Sequence, residues 1–472
     1  MASAKDDKMS HSQFALLKTR RFAPLFTAQF LGAFNDNVFR NALVMLITFY
    51  AAEKVSMDPR ILVTAAAGIF MLPFFLFSAL AGQIVDANEK SAYIRRLKKI
   101  EIGLMLVAAL GFYLQSVSLL MVVLFLMGTQ SAFFGPVKYS ILPDHLKEDE
   151  LIGGNAIVEA GTFLSILLGT IIGGILIMRE GGMEIVSAII VAMAVLGYFS
   201  SRYIPVAKAA APDLKVSYNI VAETWKIVRH AAGNKDVFLS IIGISWFWLV
   251  GFVFLSQFPV YGKDVIGGNE MIVTLFLTTF SIGIAFGSLL CEKLLKGEVS
   301  GLYVPVGAFG MTASILLLWL VSPKTSVTVD EGGLIGIMEF LSNPQYCAVL
   351  VAMLLVSIFG GIYIVPLYAI MQSRSDRAHR SRTIAANNIL NALFMVASSL
   401  LAMLMLSLNM RVVDIFLTVG IVNIPVGFLV RRIVKKRRIA NEDINKMISA
   451  AQAKKRKTHG TPPKSAKRRK KS

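Results

Sequence analysis

Apolar stretches of about twenty residues recur along the whole chain, separated by short polar breaks, and about twenty apolar residues suffice for a helix to cross the hydrocarbon of a bilayer. The pattern predicts twelve spans. They lie at about 22–50, 61–85, 97–115, 118–137, 153–178, 184–203, 237–261, 271–295, 302–321, 346–372, 384–408 and 412–431. The longest polar interruption between spans, 202–236, follows the sixth. The expected architecture is therefore an all-α polytopic membrane protein of two six-helix bundles, 22–203 and 237–431. A linker over 204–236 joins them, an arm over 1–21 precedes them, and a tail over 432–472 follows. Within the linker, Tyr218–His230 reads as a short interfacial helix with Trp225 at the membrane surface.

Composition removes the soluble alternative. A chain of 472 residues could hold several soluble domains, but 55% of it is hydrophobic and 16% charged, against about 25% charged in ordinary soluble proteins. The net charge of +19 suggests nucleic acid until it is located. From Arg431 onward, seventeen Lys and Arg face only Glu442 and Asp443, so the tail carries fifteen of those charges. A basic tail beside an anionic inner leaflet gains about 1 kcal/mol per residue, which favours lipid over nucleic acid as its partner. Loop charge sets orientation. Lys18, Arg20, Arg21, Lys90, Arg95, Arg96, Lys98, Lys99, Lys208, Lys215, Arg374, Arg377, Arg380 and Arg382 fall on one side, with the tail. Both termini are expected in the cytoplasm, with no cleaved signal peptide. Two cysteines, Cys291 and Cys347, make no disulfide framework or metal site. Neither a phosphate-cradling loop nor a nucleophile elbow or zinc motif occurs. The reading is a protein that is not an enzyme and needs no cofactor.

The chemistry begins in span one. Gln29, Asn35, Asp36, Asn37, Arg40 and Asn41 interrupt an otherwise apolar run, and Asp36 falls about 21 Å along the span from Phe22. Charges inside a membrane are costly and mark substrate or ion paths. Asp36 and Arg40 stack one turn apart. The bland alternative is an internal ion pair that only aids packing. Gly82 to Lys90 (GQIVDANEK) is the second motif: it fits Gly-x-x-x-Asp before a basic residue at a cytoplasmic helix end and resembles the loop signature of the major facilitator superfamily, which implies that Gly82 permits close helix approach, with Asp86 as a gating acid and Lys90 in the basic place. Its alternative is a solvated helix end. The third is Gly135 to Pro143 (GPVKYSILP), containing Lys138 and Tyr139, with Asn155, Glu159 and Thr162 forming a polar face in span five. Lys138 reads equally as a partner of Glu159 or a snorkelling lysine. The second half offers amides, Gln257, Gln372, Asn387 and Asn391, without a buried acid. Asn155 and Glu159 find counterparts in Asn387 and Asn391, a faint six-span repeat. Gly169, Gly173 and Gly174, with Gly283 and Gly287, read as packing seams.

With these residues in view, the chain resembles the lysophospholipid transporter family of the major facilitator superfamily, on QFLGAFNDN (Gln29–Asn37), GPVKYSILP (Gly135–Pro143), NAIVEAGTFLSILLGTIIGG (Asn155–Gly174), SWFW (Ser245–Trp248) and GGIYIVPLYAIMQ (Gly360–Gln372). The likeness covers about residues 18–430. It implies the major facilitator fold and a bacterial inner-membrane flippase. That protein would carry lyso-phosphatidylethanolamine and lyso-phosphatidylglycerol from the outer to the inner leaflet, where an acyltransferase/acyl-carrier-protein synthetase re-acylates them. Some relatives carry that enzyme fused; here it would be a separate partner, and the transporter a monomer. The free-standing enterobacterial type carries an intramembrane basic residue in span seven after its SxFW stretch. Phe252 to Gln257 has none here, as in the fused relatives, which leaves Arg40 and Lys138 as candidates for the phosphate. Two other readings stand beside this one: a cation-coupled major facilitator exporter of drugs or small amphiphiles, and a transport-inactive scaffold that recruits acyltransferase through its tail.

Overall fold

The structure, a computed structural model, describes residues 13–49, 59–324 and 334–432. Readings that concern the arm before Gln13 or the tail beyond Arg432 lie outside the described residues. The first half holds α1 (Ala23–Phe49), α2 (Pro59–Ala87), α3 (Lys90–Tyr113), α4 (Val117–Ser140), the short α5 (Leu142–His145), α6 (Leu151–Ile177) and α7 (Gly182–Ser201). The connecting segment forms α8 (Ile220–Gly233). The second half holds α9 (Lys235–Val260), α10 (Glu270–Leu295), α11 (Val304–Val321), the short α12 (Ile337–Ser342), α13 (Pro344–Arg374), α14 (Arg380–Ser407) and α15 (Val412–Arg432). Among the described residues the β pairing is one isolated bridge, Gly268 to Ile335.

All twelve predicted spans are helices. Among the described residues, ten of the long helices hold a stretch long and apolar enough to cross a membrane. The two that fall short by that measure are α1, which carries Asp36 and Arg40, and α3, which carries Lys90, Arg95, Arg96, Lys98, Lys99 and Glu101. The boundary of α3 corrects the sequence reading. Span three was expected from residue 97, with Lys90 to Lys99 in a loop. Instead the Glu89 carboxylate accepts from the Ser91 and Ala92 amides and caps a helix that begins at Lys90. Lys98 is thereby carried more than two turns into the helix and is buried.

The halves repeat one packing scheme. In the first, α1 lies on α6, α2 on α4, and α3 on α4 and α7. In the second, α9 lies on α14, α10 on α13, and α11 on α13, with α15 against α11 through Thr312, which donates to the Gly420 carbonyl. Small residues allow the closest approaches. Gly173 faces the Val38 backbone of α1, with no room for a Cβ, so the seam expected there exists; Gly174 meets nothing within 4 Å. Between halves, α2 and α4 meet α14, and α6 meets α10 and α13. The linker helix α8 forms as expected, with Ile227 and Ala231 buried and Trp225 exposed.

Candidate functional site

The charged centre is built by α1, α3 and α4. Asp36 and Arg40 sit about 20 and 26 Å along α1 and are both half-buried. They form no ion pair with each other. Asp36 Oδ2 accepts from Ser131 Oγ of α4 at 2.7 Å. Arg40 Nη2 donates to Asn37 Oδ1 at 2.9 Å, and its guanidinium lies 5.6 Å from the Phe70 ring centroid. The bland reading of a self-satisfied Asp36–Arg40 pair is therefore not what the structure holds. Gln29 accepts at Oε1 from Thr162 Oγ1 of α6 at 3.3 Å. Asn37 Nδ2 donates to the Ala33 carbonyl at 2.8 Å, and Asn35 is buried with neither side-chain polar atom partnered.

Behind Asp36 lies a pair that sequence reading missed. Lys98 Nζ donates to Glu101 Oε2 at 2.7 Å, with both side chains almost wholly buried. Gln130 Nε2 reaches the same oxygen at 3.2 Å. The signal was present as Lys and Glu three apart, but a loop placement for Lys98 hid it.

A second group closes the space between halves. Tyr139 donates its hydroxyl to Glu159 Oε1, and its ring stacks on Tyr368 of α13 at 4.5 Å. Trp248 Nε1 donates to Tyr368 Oη at 3.1 Å. Asn155 and Gln372 exchange hydrogen bonds of 2.9 and 2.8 Å across the halves. Asn155 thus pairs with Gln372 and not with its repeat counterpart Asn387, which is buried nearby on α14. Asn391 accepts from Ser245 of α9 at 2.8 Å. Lys138 is half-buried with its ammonium 4.4 Å from the Tyr139 ring centroid, and no ion pair joins it to Glu159. Gln257 lies near the opposite end of α9, with Oε1 unpartnered, so the structure does not gather it with these residues. Tyr139→Phe keeps the stack but leaves the buried Glu159 carboxylate without its donor. Transport by that variant is expected to fall about tenfold, with melting temperature changed by a few degrees, as read by flux and thermal unfolding.

The third group seals the end at which α1 begins. Asp86 Oδ1 accepts from the Ser381 amide at 3.1 Å, and Oδ2 from Arg382 Nε at 3.0 Å and the Arg382 amide at 3.3 Å. An acid at the start of α14 also meets the positive end of that helix. Gly82 makes room: a Cβ there would stand 2.8 Å from Ala385 Cβ and 2.9 Å from Arg382 Cα. Lys90 serves a different acid than its place in the motif suggested, donating to Asp144 Oδ2 at 2.6 Å and the Ser140 carbonyl at 3.0 Å. Asp144 in turn faces Arg380 at 3.5 Å and Arg377 at 3.9 Å from the other half. Arg380 and Arg382 were read as loop charges; the early start of α14 makes them contacts between halves, Arg380 with Asp144, which the sequence reading did not single out, and Arg382 with Asp86.

Among the described residues, the polar contacts that join the halves gather at this one end, from Gln13, which donates to the Leu289 carbonyl, up to Asn155–Gln372.

The sequence profile of the Major Facilitator Superfamily matches residues 25–335. The chain is 24% identical over 411 residues to the Lysophospholipid transporter LplT of Escherichia coli O1:K1 / APEC, covering 85% of this chain and 90% of that protein. It is 26% identical over 361 residues to the Lysophospholipid transporter LplT of Salmonella gallinarum, covering 75% and 80%. Among solved structures it is similar to the human organic anion transporter MFSD10 (TETRAN), with TM-score 0.70, 14% identity, and 87% and 99% of the two chains covered. It is also similar to FucP in the outward conformation, with TM-score 0.65, 12% identity, and 87% and 97% covered. At these identities the solved structures speak for the fold.

Proposed function

The chain belongs to the major facilitator superfamily, and on that premise we propose that it is a lysophospholipid transporter of the bacterial inner membrane. The observation that carries the reading is that Asp36 and Arg40, one turn apart at mid-depth, are both half-buried and neither has an ion-pair partner among the described residues. A carboxylate and a guanidinium so placed match the ammonium and the phosphate of a zwitterionic headgroup, since guanidinium binds phosphate through paired donors. The similarity to proteins named as lysophospholipid transporters supports the same substrate class.

The basic flanks favour a cytoplasmic position for the sealed end and for both termini. The molecule is then closed inward, with the site reached from the outer leaflet. The headgroup enters between the halves while the single acyl chain stays in lipid, so entry is lateral. Rocking of the halves about the site then delivers lyso-phosphatidylethanolamine or lyso-phosphatidylglycerol to the inner leaflet. There a separate acyltransferase/acyl-carrier-protein synthetase restores the second chain, and the basic tail meets anionic lipid. The transporter acts as a monomer.

Competition tests the substrate class. Uptake of labelled lyso-phosphatidylethanolamine into proteoliposomes is expected to be inhibited by other single-chain glycerophospholipids and not by lipophilic drug cations. Inhibition by the drugs with no effect of lysolipids would transfer the protein to the exporters.

A further inference from the structure

Lys98 and Glu101 take no direct part in the headgroup contacts proposed above, yet their setting is built. Lys98 is enclosed by Gly32 of α1, Phe134 of α4 and Gly197 of α7, with its ammonium 5.1 Å from the Phe134 ring centroid. A Cβ at Gly32 would stand 2.6 Å from Lys98 Nζ, so that position leaves room for the ammonium, and 3.8 and 3.9 Å from the two Glu101 oxygens. Glu101 thus points at α1, one turn before Asp36. Its Oε1 is buried and has no hydrogen-bond partner among the described residues. Ser131 Oγ, which donates to Asp36, stands 3.4 Å from Gln130 Oε1, whose amide nitrogen holds Glu101. Asp36 and Glu101 thus share one polar chain across three helices. A buried pair of this kind is weak evidence of stabilisation, because desolvation offsets the attraction, so a role in specificity deserves weight.

The charges facing this space are Asp36 and Arg40 from α1 and Lys98 and Glu101 from α3; α4 and α7 supply none at this depth. Ionised, they sum to zero. Once a substrate phosphate engages Arg40, two carboxylates remain with one ammonium, and a net negative charge in a low-dielectric interior is strongly disfavoured.

We propose that Glu101, with Lys98 as its counter-ion, makes the Asp36 pocket a monovalent-cation site that a zwitterionic headgroup fills with its own ammonium, and that a proton or sodium ion must fill when the headgroup is a net anion. The inference rests on the transporter reading and adds a cation requirement that depends on headgroup charge.

The test measures uptake of lyso-phosphatidylethanolamine and lyso-phosphatidylglycerol in proteoliposomes, with sodium or choline and at acidic or alkaline pH. In the wild type, lyso-phosphatidylglycerol uptake is expected to fall about tenfold when the effective cation is withdrawn, while lyso-phosphatidylethanolamine uptake changes less than about twofold. The sodium and pH arms identify the cation. Glu101→Gln removes one negative charge, so its lyso-phosphatidylglycerol uptake becomes indifferent to both. The double variant Lys98→Gln, Glu101→Gln restores the net charge and with it the requirement, which a purely structural role would not do; it also avoids leaving Lys98 buried and unpaired. Wild-type lyso-phosphatidylglycerol uptake indifferent to sodium and pH, beside active lyso-phosphatidylethanolamine uptake, overturns this inference alone. Absence of uptake of either lipid overturns the proposed function and this inference together.

Discussion

Asp36→Asn is expected to lower lyso-phosphatidylethanolamine transport about a hundredfold while the protein folds and purifies as the wild type does. A charge-assisted hydrogen bond to a substrate ammonium contributes about 1.5–3 kcal/mol, and 3 kcal/mol corresponds to somewhat more than a hundredfold. Folding is spared because Asp36 pairs with no Lys or Arg side chain among the described residues. Its carboxylate accepts from Ser131, and an amide oxygen can accept from the same hydroxyl at 2.7 Å. The substitution also removes a desolvation cost, so thermal unfolding is expected at or slightly above the wild-type temperature. Flux measured beside melting temperature checks both halves of this expectation. Flux near the wild-type rate would remove Asp36 from the site.

Gly82→Val is expected to open the sealed end. The added Cβ would stand 2.8 Å from Ala385 Cβ and 2.9 Å from Arg382 Cα, and the second contact is backbone that no rotamer change can relieve. Overpacking of this kind costs about 1–3 kcal/mol. Here it falls on one conformation, because Gly82 meets α14 of the other half only while the halves are closed at this end. The Ser381 and Arg382 amides, which donate to Asp86, then lose their acceptor for a larger fraction of time. Hydrogen exchange at those two amides is expected to rise about tenfold, with transport falling because each cycle returns through the closed state. Unchanged exchange would show that Gly82 does not limit the approach of α2 to α14.

What the chain spells out locally was legible. Twelve apolar runs became twelve helices because each run carries its own hydrogen bonds and needs no distant partner. The charged positions in span one were equally plain, since an ionisable group in an apolar run stands out without any tertiary knowledge. Lys98 shows where legibility ended. A lysine near an expected helix end reads as a loop charge unless the cap is recognised, and the cap here is Glu89, an uncommon choice beside Ser, Thr, Asp or Asn. Asp144 and Arg380 show the other limit: which loop charges meet across the halves depends on the docking of two bundles, more than two hundred residues apart in sequence. The repeat likewise gives equivalent positions and not contacts. Asn155 and Asn387 correspond in position, yet Asn155 bonds Gln372, because contacts between halves join non-equivalent positions of a repeat.

The account turns on one measurement: leaflet-resolved movement of labelled lyso-phosphatidylethanolamine by the purified wild-type chain in proteoliposomes, with proton and sodium gradients imposed in turn. The expected result is transfer of lipid between leaflets well above that of protein-free vesicles, carried by the wild type and lost in Asp36→Asn. No transfer under any gradient, from protein shown to be folded, would contradict the account and leave a major facilitator protein with another substrate.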